Sequence, residues 1–287
     1  MSFYMSSPQV NQYGIIPKII FIVPYRDREE HLKTFVKTMD DVMFDYPRDD
    51  YQIWILHQCD TRSFNRGALK NLGFWICRNR YPYSYHNITL VFNDVDSVIA
   101  QRNLLNFETQ HGVVKHFYGF KNALGGIFSM VAGDFESING FPNFWGWGYE
   151  DNAIKHRVIR AKLEQDYTQF IPWKQTQYAN YKEGDKGESR ELLQNNDCDF
   201  IRQINRSEFQ RYLSGTNEGI SNLNKVEYHV AKYDGNHNNV YWMNVTSFST
   251  GIEEDLSQRK DYDIRNGQNP FQMKLPSKYK SMRLGVM

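Results

Sequence analysis

A chain of 287 residues is long enough for one large α/β domain or two small ones, and its 40% hydrophobic and 23% charged content is ordinary for a globular protein. A net charge of +1 removes the case for nucleic-acid binding or a basic membrane-binding surface. Three cysteines, Cys59, Cys77 and Cys198, are too few and too scattered for a disulfide framework or a zinc site; they fit a reducing compartment, with room for one disulfide at most.

Residues 1–17 form a polar lead with no apolar run long enough for a signal peptide or a transmembrane segment. Lys18–Pro24 reads as a short buried strand ended by proline, and Glu30 to about Phe44 as an amphipathic helix, with Leu32, Phe35, Val36, Met39, Val42 and Met43 at helical spacing. Tyr51–Gln58 reads as a second strand, Ala68–Ile76 as a second helix and Asn87–Phe92 as a third strand. Strand–helix alternation of this kind predicts a nucleotide-binding α/β sheet whose ligands sit outside the carboxyl ends of the strands. A polar stretch at about 173–196 reads as a surface loop or insertion, and Lys225–Val230 with Val240–Val245 as a late pair of strands. From 251 the tail is polar, and from Arg259 it holds seven Lys/Arg against two Asp, so it reads as a solvated or packed tail, or as a docking segment. No internal repeat interrupts 18–250, read as one catalytic domain.

Chemistry-bearing motifs begin where the predicted strands stop. Pro24-Tyr25-Arg26-Asp27-Arg28 offers arginine forks for a diphosphate and a flat ring for a base; it would equally make a charged turn opening a helix. Phe64-Asn65-Arg66 precedes the second helix, where an arginine adds to the positive field of a helix start. Asp94-Val95-Asp96 follows the third strand, its two carboxylates projecting alike; such a pair serves a surface turn, or holds a divalent cation and a ribose hydroxyl. Most informative is Asn139–Asp151, where Trp145-Gly146-Trp147-Gly148 runs into Tyr149-Glu150-Asp151. Glycine makes this a poor helix interior. It reads as a hinged loop carrying flat rings toward a sugar, with a carboxylate just beyond to act as general base. The aromatic share of 15% serves mostly the core, although flat rings also suit the C–H faces of sugars.

These motifs, in this order, together with Gly125-Gly126 and Leu223–Val230, resemble the β-1,4-galactosyltransferase family, over roughly residues 18 to 246. The resemblance implies a GT-A fold, with a mixed central sheet flanked by helices. It also implies an inverting, metal-dependent transfer of a hexose from a UDP-sugar to a hydroxyl of a glycan acceptor, giving a β-linkage. By the same resemblance, Pro24, Tyr25, Arg26, Arg28, Phe64, Arg66, Asp94, Val95, Ala123, Gly125, Gly126 and Trp147 would serve the UDP-sugar. Asp96 would bind Mn²⁺ (or Mg²⁺). Trp147, Glu150 and Asn152 would face the acceptor, and Asp151 would be the base, with Glu150 beside it.

Three departures from the family pattern bear on specificity. Ala123 stands where galactose-specific members carry tyrosine, which leaves room for UDP-GalNAc; UDP-glucose and UDP-GlcNAc stay open as donors, as does a catalytically silent sugar- or nucleotide-binding protein. Asn152 replaces a further aspartate, so the acceptor would differ. The family's downstream His-x-His or Met/His metal pair is missing, and Asp197-Cys198-Asp199 is the nearest replacement, its carboxylates making an all-oxygen site or merely an acidic loop. The family's animal members are Golgi proteins anchored by a membrane helix. The expectation here is a soluble microbial or viral relative, cytoplasmic if native, or else a trimmed catalytic domain.

Overall fold

The computed structural model describes residues 10–11, 14–99, 101–146, 148–172, 204, 206–213, 218–233, 237 and 239–252. Within the polar lead, β1 (Val10–Asn11) and β2 (Gly14–Ile15) form a small antiparallel pair. The predicted alternation then follows as β3 (Ile19–Tyr25), α1 (Glu29–Val42), β4 (Tyr51–Gln58), α2 (Arg66–Arg80) and β5 (Thr89–Asn93). Next come β6 (Val113–Gly119), β7 (Ile127–Val131), α3 (Ala132–Ser137), α4 (Glu150–Arg160), β8 (Glu164–Asp166) and β9 (Ile171–Pro172). The described elements end with α5 (Arg206–Leu213) and a hairpin of β10 (Asn224–Lys232) and β11 (Val240–Ser249). The expected insertion at 173–196, Trp147, Asp197, Asp199 and nearly all of the C-terminal tail lie outside the described residues. No described helix is long and apolar enough to cross a membrane.

Among the described residues the main sheet runs β10-β11-β4-β3-β5-β7-β6-β8, with β9 also paired to β6. Strands β11, β4, β3 and β5 are mutually parallel, whereas β7 lies antiparallel between β5 and β6. It is a mixed sheet, and helices cover both of its faces.

Pleating assigns the β3 side chains to those faces, because successive residues of a strand point to opposite sides. Ile19, Phe21 and Val23 pack with Leu32, Phe35, Val36 and Met39 of α1. Ile20 and Ile22 join Leu69, Leu72 and Phe74 of α2 and Ile154 and Val158 of α4 on the other face. Every residue of β3 is buried, which accounts for its unbroken apolar run. Full burial of each such side chain is worth roughly 1.5–3 kcal/mol, so this three-layer core holds the strand ends at fixed positions. The carboxyl ends of β3, β4 and β5 open along one edge, and the charged residues follow there.

Candidate active site

Each strand end delivers one part of the cleft. After β3, Arg28 turns its guanidinium to Asp96, beyond β5, at 2.7 Å. Arg26 is buried and donates to the carbonyls of Gln58 and Asp60 at 3.3 and 3.0 Å and to the Asp60 carboxylate at 3.1 Å, so it ties the loop after β4 to the end of β3. Tyr25 packs edge-on to His57 and Trp242, with centroids 5.3 and 5.4 Å away. Pro24 pairs with Leu56 inside the sheet, Val95 is buried in the α1-side core, and Phe64 lies half-buried 5.9 Å from the Arg26 guanidinium.

Arg66 occupies the centre of the arrangement. It begins α2 directly after Asn65, whose side chain caps the helix by accepting from the Ala68 amide at 2.9 Å. Its fork grips Asp94 through two hydrogen bonds of 2.9 and 2.7 Å. The remaining arm donates to Glu150 at 2.9 Å and to Asp151 at 2.7 Å. Beneath it, the fully buried Lys70 ammonium is 3.2 Å from Asp94 and 5.0 Å from the Phe141 ring. That ion pair is close but badly aimed, since the Lys70 ammonium makes no hydrogen bond of acceptable geometry. Three carboxylates therefore share two cations.

The ionisation of the cluster follows from this crowding. Burial favours the neutral acid at Asp94, but Arg66 and Lys70 override it and hold the carboxyl well below the usual range. Burial and the Asp151 charge push the Glu150 carboxyl up. Burial, seconded by Arg66, pulls the Lys70 ammonium down. Arg66 is held firmly charged: burial opposes its charge, but Asp151, Asp94 and Glu150 together outweigh that cost.

Asp151 is set in place by the chain it faces. The Leu124 amide donates to the Asp151 carbonyl at 2.9 Å, and a Cβ on Gly125 would stand 2.4 Å from Asp151 Oδ2. Only a glycine leaves that carboxylate its position. Gly126 follows with φ +68°, a conformation that favours glycine, and its carbonyl accepts from the Asp94 amide at 3.0 Å. One residue pair thus supports both carboxylate groups. Behind it, buried His116 Nε2 lies 3.2 Å from the Gly125 carbonyl and 3.1 Å from that of Tyr118, and burial lowers its pKa to about 4. The imidazole is neutral at ordinary pH, donating from Nε2 to both oxygens.

The expected site residues fall into two groups. Arg66, Asp94, Gly125, Gly126, Glu150 and Asp151 converge through the contacts above, and Arg28 pairs with Asp96, two residues beyond Asp94. Ala123, nearly buried, donates its amide to the Phe120 carbonyl at 3.0 Å in the turn before Gly125, and Asn152 reaches the Asn122 carbonyl at 3.3 Å. Trp145 is buried, stacked on Phe248 with centroids 5.6 Å apart and bonded to the Ile252 carbonyl at 3.0 Å, so it anchors the loop.

Sequence reasoning missed the amide scaffold behind this loop. Asn65 donates to the Asn143 carbonyl at 3.0 Å, and Asn71 binds the Phe141 backbone through both ends of its amide. It also missed Lys70, for which a lysine beside Leu69 and Leu72 was the available signal. Asp96 offers a hard oxygen ligand at the cleft, and a divalent cation fits that donor. Among the described residues, though, no group of three His, Cys, Asp or Glu side chains is placed to hold a metal.

Comparison with known proteins adds an independent line. Residues 12–107 match the model of the N-terminal region of glycosyl transferase group 7, and residues 110–183 match the model of the N-terminal domain of galactosyltransferase. The chain is 33% identical over 155 residues to β-1,4-galactosyltransferase 1 of Mus musculus, the match covering 51% of this chain and 38% of the relative. It is also 33% identical over 155 residues to the xylosylprotein 4-β-galactosyltransferase of Caenorhabditis elegans, covering 51% and 52%. The match spans about half or less of the length of these curated relatives. In fold, it superimposes on a mutant of Drosophila β-1,4-galactosyltransferase 7 in complex with manganese, UDP-Gal and xylobiose, with a TM-score of 0.61, 24% identity and coverage of 85% of this chain and 98% of that one. A xylobiose complex of the same Drosophila catalytic domain gives a TM-score of 0.58 at 24% identity, with the same coverage of both chains. The architecture is thus that of the GT-A galactosyltransferases.

Proposed function

Because the chain belongs to the glycosyl transferase group 7 family, we propose that it is a glycosyltransferase moving a hexose, galactose first, from a UDP-sugar to a hydroxyl of a glycan acceptor with inversion. The observation that carries this reading is the Arg66 bridge. It joins Asp94, at the nucleotide-binding edge of the sheet, to Glu150 and Asp151 at the start of α4, so donor-side and acceptor-side groups share one cleft.

In the reaction, Asp151 takes the proton of the acceptor hydroxyl as that oxygen bonds to C1 of the sugar. The bond from C1 to the diphosphate breaks on the opposite face, and UDP leaves with the electron pair. Arg66 keeps Asp151 oriented through their 2.7 Å contact. Arg28 supplies a fork for the phosphate oxygens. A divalent cation, Mn²⁺ or Mg²⁺, would be held by Asp96, with Asp197 and Asp199 as further oxygen ligands beyond the described residues; when bound, it neutralises charge on the diphosphate. Trp147 would close over the sugar.

Ala123 favours one variation: its small side chain leaves space for a C2 N-acetyl group, so UDP-GalNAc is the alternative donor. Turnover of UDP-galactose, UDP-GalNAc, UDP-glucose and UDP-GlcNAc should be measured with Mn²⁺ and with a chelator. Metal-dependent hydrolysis or transfer from one of the first two donors is expected. Binding of UDP without turnover of any donor would instead make the protein a silent binder.

A further inference from the structure

On the far side of the α4 N-terminal turn lies an open groove of about 650 Å³, lined by Lys121, Asn122, Tyr149, Asn152, Lys155 and His156, with Ile159, Phe209 and Leu213 completing the apolar wall. Its volume lies within the range of small-ligand sites. Asn152 follows Asp151 directly, so the groove and the proposed base share one helical turn, with Asp151 facing Arg66 and Asn152 lining the groove. Tyr149 and Phe209 stack on each other with centroids 4.7 Å apart and planes 17° from parallel, so the pair forms one aromatic wall of the groove.

The polar side of the groove is cationic, and among the described residues no aspartate or glutamate lines it. The Lys155 ammonium is held by two neutral oxygens, the Lys121 carbonyl and the Tyr167 hydroxyl, the latter at 2.7 Å. The Lys121 ammonium lies 5.3 Å from the Tyr167 ring centroid, and neither lysine pairs with a carboxylate among the described residues. A neutral glycan would need hydrogen bonds here and no net charge. Two ammonium groups with no carboxylate partner among the described residues, beside an aromatic wall, complement a sugar that carries an anion.

We propose that the acceptor seated in this groove is an anionic glycan, its carboxylate or phosphate substituent held by Lys121 and Lys155 and its ring against the wall formed by Tyr149 and Phe209. The inference rests on the glycosyl-transfer reading and sharpens it from any glycan to an acidic one. The test is a binding measurement on the full chain saturated with UDP, using three probes: a glucuronate-terminated disaccharide, its neutral glucose-terminated counterpart and the 6-phosphate of that counterpart. At low salt an anionic probe should bind at least about fivefold more tightly than the neutral one, as two exposed charge contacts predict, with the margin shrinking as salt screens them. The better of the two anionic probes identifies the substituent. Lys121→Glu and Lys155→Gln should each erase that preference while UDP affinity, which reports folding, is kept. Equal binding of neutral and anionic probes, or a preference untouched by both substitutions, would overturn the proposal. An anionic preference without turnover of any UDP-sugar would uphold the groove and overturn the transfer reading.

Discussion

Replacing Arg66 with methionine would remove a guanidinium that makes four hydrogen bonds of 2.7–2.9 Å to three carboxylates. Asp94, Glu150 and Asp151 would then face only Lys70, whose ammonium is 3.2 Å from Asp94 and poorly aimed. Breaking a buried ion pair by deleting one partner costs about 3–5 kcal/mol, and the lower end applies here because Asp94 and Asp151 keep some solvent contact. The loss should also depend on pH in a definite direction. Burial and Asp151 already raise Glu150, and loss of Arg66 raises it further. The folded variant then binds a proton that the unfolded chain does not, so its stability rises as pH falls through that window. In urea unfolding followed by tryptophan fluorescence, Arg66→Met should lose about 3 kcal/mol near neutral pH, and the deficit should shrink by up to about 1.4 kcal/mol per pH unit on acidification. Arg66→Lys, which keeps one charge but not the fork, should recover part of the loss. A deficit below about 1 kcal/mol at neutral pH, or one that does not change with pH, would refute the view that this arginine neutralises the cluster.

His116 supplies a pH effect of opposite sign in the parent protein. Its folded pKa of about 4 lies below the ordinary value of 6.5, so the unfolded chain binds the proton first and stability falls as pH drops below 6.5. The contribution at pH 5 is a loss of about 2 kcal/mol, which His116→Gln should remove from the difference in unfolding free energy between pH 7 and pH 5. An unchanged pH difference in that variant would exclude the buried imidazole as its source. Gly125→Ala would set a methyl group 2.4 Å from Asp151 Oδ2, so the carboxylate must move. Turnover should fall by about 10²-fold, as a misplaced general base predicts, with UDP affinity within a factor of about two. A variant of normal rate would show that Asp151 needs no fixed position.

How much of this was legible depended on whether a feature was local in sequence. The β4 strand coincides with the predicted Tyr51–Gln58, and β3, α1, α2 and β5 fall within a few residues of their predicted bounds, because each carries its own apolar pattern. Arg28, Asp94 and Asp96 were legible as candidates for a related reason, charge following closely on a buried strand, and Arg66 as a charge at a helix start. The remainder arises across long separations. Strand β7 inserts antiparallel between β5 and β6, a pairing that no local pattern announces. Arg66 meets Glu150 and Asp151 across 84 and 85 residues, so its reading as a phosphate neighbour did not foresee a bridge. Within the Trp-Gly-Trp-Gly segment composition suggested a sugar-facing loop, but Trp145 is buried under the Arg62 guanidinium, 4.6 Å from its ring. Asn71 and Asn143 gave no signal, since an asparagine that staples a loop looks like any polar residue until its partner is known.

The most direct test concerns the carboxylate assigned as base. Asp151→Asn keeps the shape of the side chain and one oxygen for Arg66, but an amide cannot accept the acceptor's proton. Steady-state transfer and UDP affinity should be measured side by side on this variant and the parent. The account predicts a fall in kcat of about 10²- to 10⁴-fold with UDP binding nearly unchanged. Turnover close to that of the parent would contradict it.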